Sequence, residues 1–287
     1  MKLENIKTIG IAGAGTMGQG IAQVCTTAGY QVVLYDVAET QLGQAKNLIQ
    51  KSLQVAVEKG KLKADESDQV LSRIQFQSDV NQLKADLIIE AALEKLDIKK
   101  ELFTRLEAIN SESCILTTNT SSIPVTQIAS ALKHPQRFAG LHFFNPAPIM
   151  KLVEIISGVN TNAETIDTLK VLCEKLGKTG VLAKDSPGFI VNRVARHYYV
   201  EALKLLEENV TDILTIDALM KTSGFKMGPF ELMDLIGVDT NFSVTTSIYH
   251  AFHQDGKFRP SLIQQQKVDA GHHGRKSGKG FYDYSKK

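Results

Sequence analysis

The sequence is poor in the features that would tie it to an oxidising compartment, a membrane or a polyanion. Its 287 residues hold only three cysteines, Cys25, Cys114 and Cys173, far apart and each in apolar surroundings. They form no CxxC pair and have no histidine at metal-ligand spacing, so no metal site is expected and all three read as inert buried thiols. The odd count fits a reducing compartment. An excess of one charge sign is also missing. The formal net charge is +2, so nothing asks for nucleic acid or an anionic membrane. Local basic residues remain available to a phosphate-bearing ligand. No apolar run approaches the ~20 residues a membrane helix needs. The opening MKLENIKTIGIAGAG has no signal-peptide apolar core before its first strand-like run. Repeats and low-complexity linkers are absent too. A soluble, cytoplasmic protein is expected. With 43% hydrophobic and 22% charged residues it has a proper core, and its length allows two domains at a prior of ~150 residues each.

What is present divides in two. Up to residue 184, short β-branched runs alternate with longer amphipathic stretches. Strands are expected at 7–13, 31–36, 73–77, 86–91, 114–119 and 137–144, with helices at 16–28, 40–59 and 97–109. Continuous apolar strands separated by helices predict a Rossmann-like α/β domain, a mostly parallel sheet covered on both faces. A strand at 151–157 follows the Asn145-Pro146-Ala147-Pro148 turn so closely that an antiparallel hairpin is expected there. A helix near 163–177 and a strand at 180–184 complete this half. Asp185-Ser186-Pro187-Gly188 then reads as a helix start, with Asp185 or Ser186 as the cap. Beyond it the apolar spacing is helical, which predicts an α/β domain over 1–185 and an all-helical domain over 186–287.

The first strand runs into Gly13-Ala14-Gly15-Thr16-Met17-Gly18, a GxGxxG that opens a helix. The first glycine permits the tight turn, the second lets the backbone approach a pyrophosphate, and the third allows close helix–strand packing. The helix N-terminus offers N–H groups and positive dipole to the anion. Alone the motif is weak, because glycines cluster in turns. Asp36, at the end of the second strand, stands where an acidic residue would bind the adenosine ribose hydroxyls. A carboxylate there repels a 2′-phosphate, so the expected cofactor is NAD rather than NADP.

Chemistry is expected in Gly140–Ile156, GLHFFNPAPIMKLVEII. If 138–144 and 151–157 pair around a loop centred on Pro148, His142 faces Glu154. Opposed side chains have Cβ atoms ~4.5–5.5 Å apart, within reach of an imidazole–carboxylate hydrogen bond. Glu154 would then fix the tautomer of His142 and stabilise its protonated form, as removal of a proton from an alcohol requires. A slip of one residue would break the match. Two polar islands accompany the pair. TTNTSSIP places Ser121 just after a strand, at the carboxyl edge where open α/β sheets bind ligands. PGFIVNR places Asn192 on the inner stripe of the first helix of the second domain. By themselves these are equally a helix cap and a backbone-satisfied amide.

Taken together, GAGTMG, NTSSI, RFAGLHFFNPAPIMKLVEII, KDSPGFIVNR, MGPFELMDLIGVD and GRKSGKGFYDY resemble the 3-hydroxyacyl-CoA dehydrogenase family, particularly its short 3-hydroxybutyryl-CoA form. The resemblance runs end to end and in order. It implies reversible oxidation of an L-3-hydroxyacyl-CoA by NAD, a homodimer joined through the helical domain, and an active site between domains. It makes His142 the catalytic base and Glu154 its orienting partner, with Ser121 and Asn192 holding the substrate oxygen. Asn145, Glu94, Lys99 and Lys276 match cofactor-contacting positions. Ser52 and Lys59 fall where the family contacts CoA, in a segment that matches less well. There is no crotonase-like half.

Two other readings stay open. The 3-hydroxyisobutyrate and 6-phosphogluconate dehydrogenases also join a Rossmann to a helical domain, but use a lysine and a glycine-rich substrate loop not seen here. A non-catalytic dinucleotide sensor or structural protein would need none of the His142, Glu154, Ser121 and Asn192 set.

Overall fold

The computed structural model describes residues 3–285. The chain divides into two compact units, 1–186 and 187–287. Six strands of the first unit run parallel: β1 (Thr8–Ala12), β2 (Gln31–Tyr35), β3 (Ile74–Gln77), β4 (Leu87–Glu90), β5 (Ile115–Thr118) and β6 (Phe138–Phe143). β7 (Leu152–Ser157) returns antiparallel to β6, and β8 (Thr179–Lys184) runs parallel to β7. The spatial order is β3-β2-β1-β4-β5-β6-β7-β8. Strands β4 and β5 are buried at every position, so neither shows the alternation of a strand with one face in water. β8 closes the sheet as a mostly exposed edge. The helices of this unit are α1 (Thr16–Thr27), α2 (Glu39–Glu58), α3 (Ala64–Ser72), α4 (Leu96–Ile109), α5 (Val125–Ala129) and α6 (Ala163–Lys175). Ile21 of α1 and Ile49 and Leu53 of α2 pack with Ile9, Ile11 and Leu34 of the sheet in one core. Each such side chain contributes ~1.5–3 kcal/mol on burial. α3 goes unforeseen in the sequence for a simple reason: Val70 is its one buried residue, so it carries no apolar period.

The second unit is helical: α7 (Val191–Glu207), α8 (Ile213–Thr222), α9 (Pro229–Ile236), α10 (Val238–Ala251) and α11 (Leu262–Asp269). Tyr199, Leu203, Ile216, Phe230 and Met233 form its core. The expected helix start at Asp185–Gly188 is not where the helix begins. Gly188 and Phe189 have φ of 72° and 48°, which no helix accommodates, and α7 starts only at Val191. The Asp185 carboxylate instead accepts the backbone N–H groups of Val125 at 2.9 Å and Thr126 at 2.7 Å, capping α5. Among the described residues the tail after 271 has one short 3-10 turn, Arg275–Ser277, and is fastened to α9. There Asp234 accepts from the N–H groups of Phe281 and Tyr282 and from the Tyr284 hydroxyl. Among the described residues no helix is long and apolar enough to cross a membrane.

Candidate active site

The glycine-rich turn joins β1 to α1 at the middle of the sheet. Gly13 sits at φ 110°, and a Cβ there would lie 2.6 Å from the Ala91 carbonyl oxygen. A Cβ on Gly18 would fall 1.7 Å from the Gly13 carbonyl oxygen. These two glycines are therefore demanded by the fold. Gly15 differs: a Cβ there meets nothing within 4 Å, and its φ of −67° is open to any residue. It caps α1, which has no side-chain cap. An open glycine before an uncapped helix N-terminus fits a pyrophosphate. Asp36 ties the turn down, its Oδ2 accepting from Ala14 N–H at 2.8 Å and its Oδ1 from Ala38 N–H at 3.0 Å. The carboxylate is thus held against the turn, a role its sequence position alone did not disclose.

On the β6–β7 hairpin, His142 and Glu154 are direct ladder partners. Nδ1 of His142 lies 2.7 Å from Oε2 of Glu154, with side chains 7% and 1% exposed. Burial strengthens this hydrogen bond and makes it costly to break. With Nδ1 committed to the carboxylate, proton exchange with a ligand falls to Nε2. The Phe144 ring stands 4.6 Å from the imidazole, centre to centre. Asn119 holds the neighbouring strand end, its side-chain oxygen accepting from Phe143 N–H at 2.8 Å. The chain between the strands passes through Asn145, which is exposed.

The carboxyl ends of β4 and β5 carry the next group. Ser121 is half-buried, and its N–H donates to Glu94 Oε1 at 3.1 Å. The same oxygen accepts from the hydroxyls of Thr120 and Ser122. Lys99 bridges Glu94 at 3.1 Å and the buried Glu90 at 2.6 Å. Desolvation by itself would raise the pKa of Glu94. The Lys99 charge and the donors from Thr120, Lys99 and Ser121 outweigh it and hold the carboxyl below its ordinary value. Lys99 is 1% exposed, so it acts on its surroundings through Glu94. Glu90 and Thr118 escape a reading of the sequence because each ends its strand, where a polar residue looks the same whether it meets solvent or a buried partner. The one signal was a glutamate ending LIIE nine positions before a lysine.

Ser52 and Lys59 line a cavity of about 700 Å³ within the first unit. Lys61, Lys151, Lys175 and Lys178 line it as well, residues that sequence spacing could not have gathered. Lys178 Nζ donates to the carbonyls of Ala147 at 2.6 Å and Met150 at 2.8 Å. Burial lowers its pKa, and the Lys151 charge pushes the same way. A smaller neighbouring cavity of about 220 Å³ is lined by Thr16, Gln19, Ser52 and Asn145. It shares Ser52 with the larger one and reaches the first turn of α1.

Asn192 and Lys276 belong to the second unit. Asn192 is half-buried in the first turn of α7, and its carbonyl accepts from Arg196 Nε at 3.2 Å. Lys276 pairs with Asp239 at 2.7 Å. Among the described residues no group of His, Cys, Asp or Glu is arranged to hold a metal ion.

Residues 8–186 match the model of the 3-hydroxyacyl-CoA dehydrogenase NAD binding domain, and residues 188–284 match that of the 3-hydroxyacyl-CoA dehydrogenase C-terminal domain. A 3-hydroxyadipyl-CoA dehydrogenase of Escherichia coli is 49% identical over 98% of this chain. The chain spans only 59% of that relative's length. A 3-hydroxybutyryl-CoA dehydrogenase of Bradyrhizobium diazoefficiens is 41% identical over 97% of this chain and 96% of its own. The crystal structure of the (S)-3-hydroxybutyryl-CoA dehydrogenase from Ralstonia eutropha superposes with a TM-score of 0.94 at 39% identity, covering 98% of this chain and 100% of that one. An NAD-binding domain followed by the matching C-terminal domain, in order and over nearly the whole length, shows that this chain belongs to the 3-hydroxyacyl-CoA dehydrogenase family.

Proposed function

We propose that this protein interconverts a 3-hydroxyacyl-CoA, with 3-hydroxybutyryl-CoA as the short-chain case, and its 3-ketoacyl-CoA, with His142 as the acid–base group. The observation that carries the reading is the buried 2.7 Å His142–Glu154 pair at the end of β6. NAD, when bound on the Gly13–Gly18 turn, supplies the hydride acceptor. His142 Nε2 takes the proton from the substrate 3-hydroxyl in the oxidative direction and returns it in the reductive one. Glu154 stabilises the imidazolium formed in between and keeps the ring in one tautomer. Ser121 Oγ has no hydrogen-bond partner among the described residues, and on this reading it donates to the substrate oxygen. Asn192 and Lys276 enter through family membership.

The cavity beside α2 supports a CoA thioester. Ser52, Lys59 and four further lysines face it, and Ile149 and Val55, both exposed, add apolar surface. Cationic and apolar lining together suit a phosphate-bearing handle with a pantetheine arm. The assay is NADH oxidation with acetoacetyl-CoA and with a longer 3-ketoacyl-CoA. His142→Ala and Glu154→Gln are expected to lower kcat by ~10²–10⁴-fold. Near-normal turnover in either variant removes the residue from this role. Failure of the wild-type protein to oxidise NADH with any 3-ketoacyl-CoA overturns the whole reading.

A further inference from the structure

We propose that Glu90 is a positioning residue which, through Lys99, sets the Glu94 carboxylate and so the turn that presents Ser121. The inference rests on the dehydrogenase reading above and goes beyond it. Glu90 is the last residue of β4 and fully buried. Its Oε1 accepts from Lys99 Nζ at 2.6 Å and from Ala92 N–H at 2.7 Å, and its Oε2 accepts from the Thr118 hydroxyl at 2.6 Å. Lys99 then reaches Glu94 Oε2 at 3.1 Å. Glu94 Oε1 receives the Ser121 N–H, the Ser122 hydroxyl at 3.1 Å and the Thr120 hydroxyl. The chain of contacts therefore begins in the core and ends on the backbone of Ser121.

Two features separate this from an ordinary stabilising ion pair. A buried ion pair is weak evidence for stability, because desolvation offsets its attraction, and one ammonium here serves two carboxyl groups. The second carboxyl group, Glu94, is 38% exposed, and it is aimed at the turn rather than into the core. Glu90 also couples two strands, since Thr118 ends β5 and its hydroxyl accepts in turn from Thr120 N–H at 3.3 Å. Oε2 of Glu90 thus acts on the strand end just before Ser121, and Oε1 acts on the Ser121 backbone through Lys99 and Glu94. Groups supporting a reacting side chain need placement this tight for the geometry to hold through turnover.

The test compares Thr118→Val, Glu90→Gln and the triple variant Glu90→Gln/Lys99→Met/Glu94→Gln. Turnover of acetoacetyl-CoA is divided by the number of NADH-binding sites, and Tm is read alongside. Each single variant is expected to lose ~10-fold in kcat per site, with the KM for acetoacetyl-CoA nearly unchanged, because Ser52 and Lys59 line a separate cavity. Glu90→Gln is expected to lower Tm by leaving Lys99 underpaired. The triple variant, which removes all three charges and leaves no carboxylate unpaired, is expected to regain Tm while kcat stays low. Recovery of kcat together with Tm would show a merely structural pair and overturn the proposal. Unchanged kcat per site in Thr118→Val overturns it as well, and that variant decides if the charge variants fail to fold. A wild-type protein without turnover would instead overturn the dehydrogenase reading.

Discussion

Glu94 shows how one side chain can answer to several forces at once. Burial pushes its pKa up, while Lys99 and the donors from Thr120, Lys99 and Ser121 bring it below the ordinary value. A carboxyl whose folded pKa is depressed contributes stability above its unfolded pKa, ~4.3 for glutamate. That contribution is lost as the pH falls through the folded pKa. Glu94→Gln is therefore expected to melt lower than the wild type at neutral pH. The gap should close as the pH drops below the usual carboxylate range, because both proteins then carry a neutral side chain. Melting curves from neutral to acid pH check this, and a gap independent of pH would assign the loss to geometry rather than charge. His142 and Glu154 were legible in the sequence because a hairpin fixes its own pairing once the turn is placed. Glu90 was not, since a charged residue ending an apolar strand looks the same whether it faces solvent or a buried lysine.

Elements decide which positions tolerate change, and the turn between β1 and α1 separates fold from ligand. Gly18→Ala places a methyl 1.7 Å from the Gly13 carbonyl oxygen, so it is expected to shift α1 against β1 and lower stability. Gly15→Ala meets open space at a φ of −67°. It is expected to melt within ~0.5 kcal/mol of the wild type yet bind NADH at least ~10-fold more weakly, the loss of ~1.4 kcal/mol. Titration of NADH fluorescence beside thermal melts separates the two effects. Unimpaired binding by Gly15→Ala would mean the pyrophosphate does not approach that residue. At this scale the helix start at Asp185 was misread for a physical reason. The Asp-Ser-Pro signature is local, but the carboxylate had a better use sixty residues away, capping α5.

For the molecule as a whole, a net charge of +2 conceals local concentration. Five lysines, Lys59, Lys61, Lys151, Lys175 and Lys178, line one cavity. Lys178 is held by two carbonyl oxygens, so it contributes field rather than direct contact. The KM for acetoacetyl-CoA is expected to rise with ionic strength as the Debye length shortens from ~10 Å at 0.1 M salt. Lys59 is exposed, so Lys59→Ala is expected to raise that KM ~5-fold or less at low salt, the scale of one solvent-exposed ion pair. With the pantetheine thioester, which lacks the nucleotide phosphates, neither salt nor Lys59→Ala should matter. Equal salt dependence for both substrates would remove the cavity from the CoA reading.

The division of labour follows the range of the forces. Strand and helix periods, the glycine turn and the His142–Glu154 register are set by contacts within one element or between neighbours, so the linear sequence determines them. The gathering of lysines from just after α2, from the β6–β7 turn and from the end of α6 and the loop into β8 around one cavity depends on where the strands lie in the sheet. So does the Glu90–Lys99–Glu94 chain beneath Ser121. Those contacts join segments that only the folded sheet brings within hydrogen-bonding distance, and the tertiary structure alone decided them.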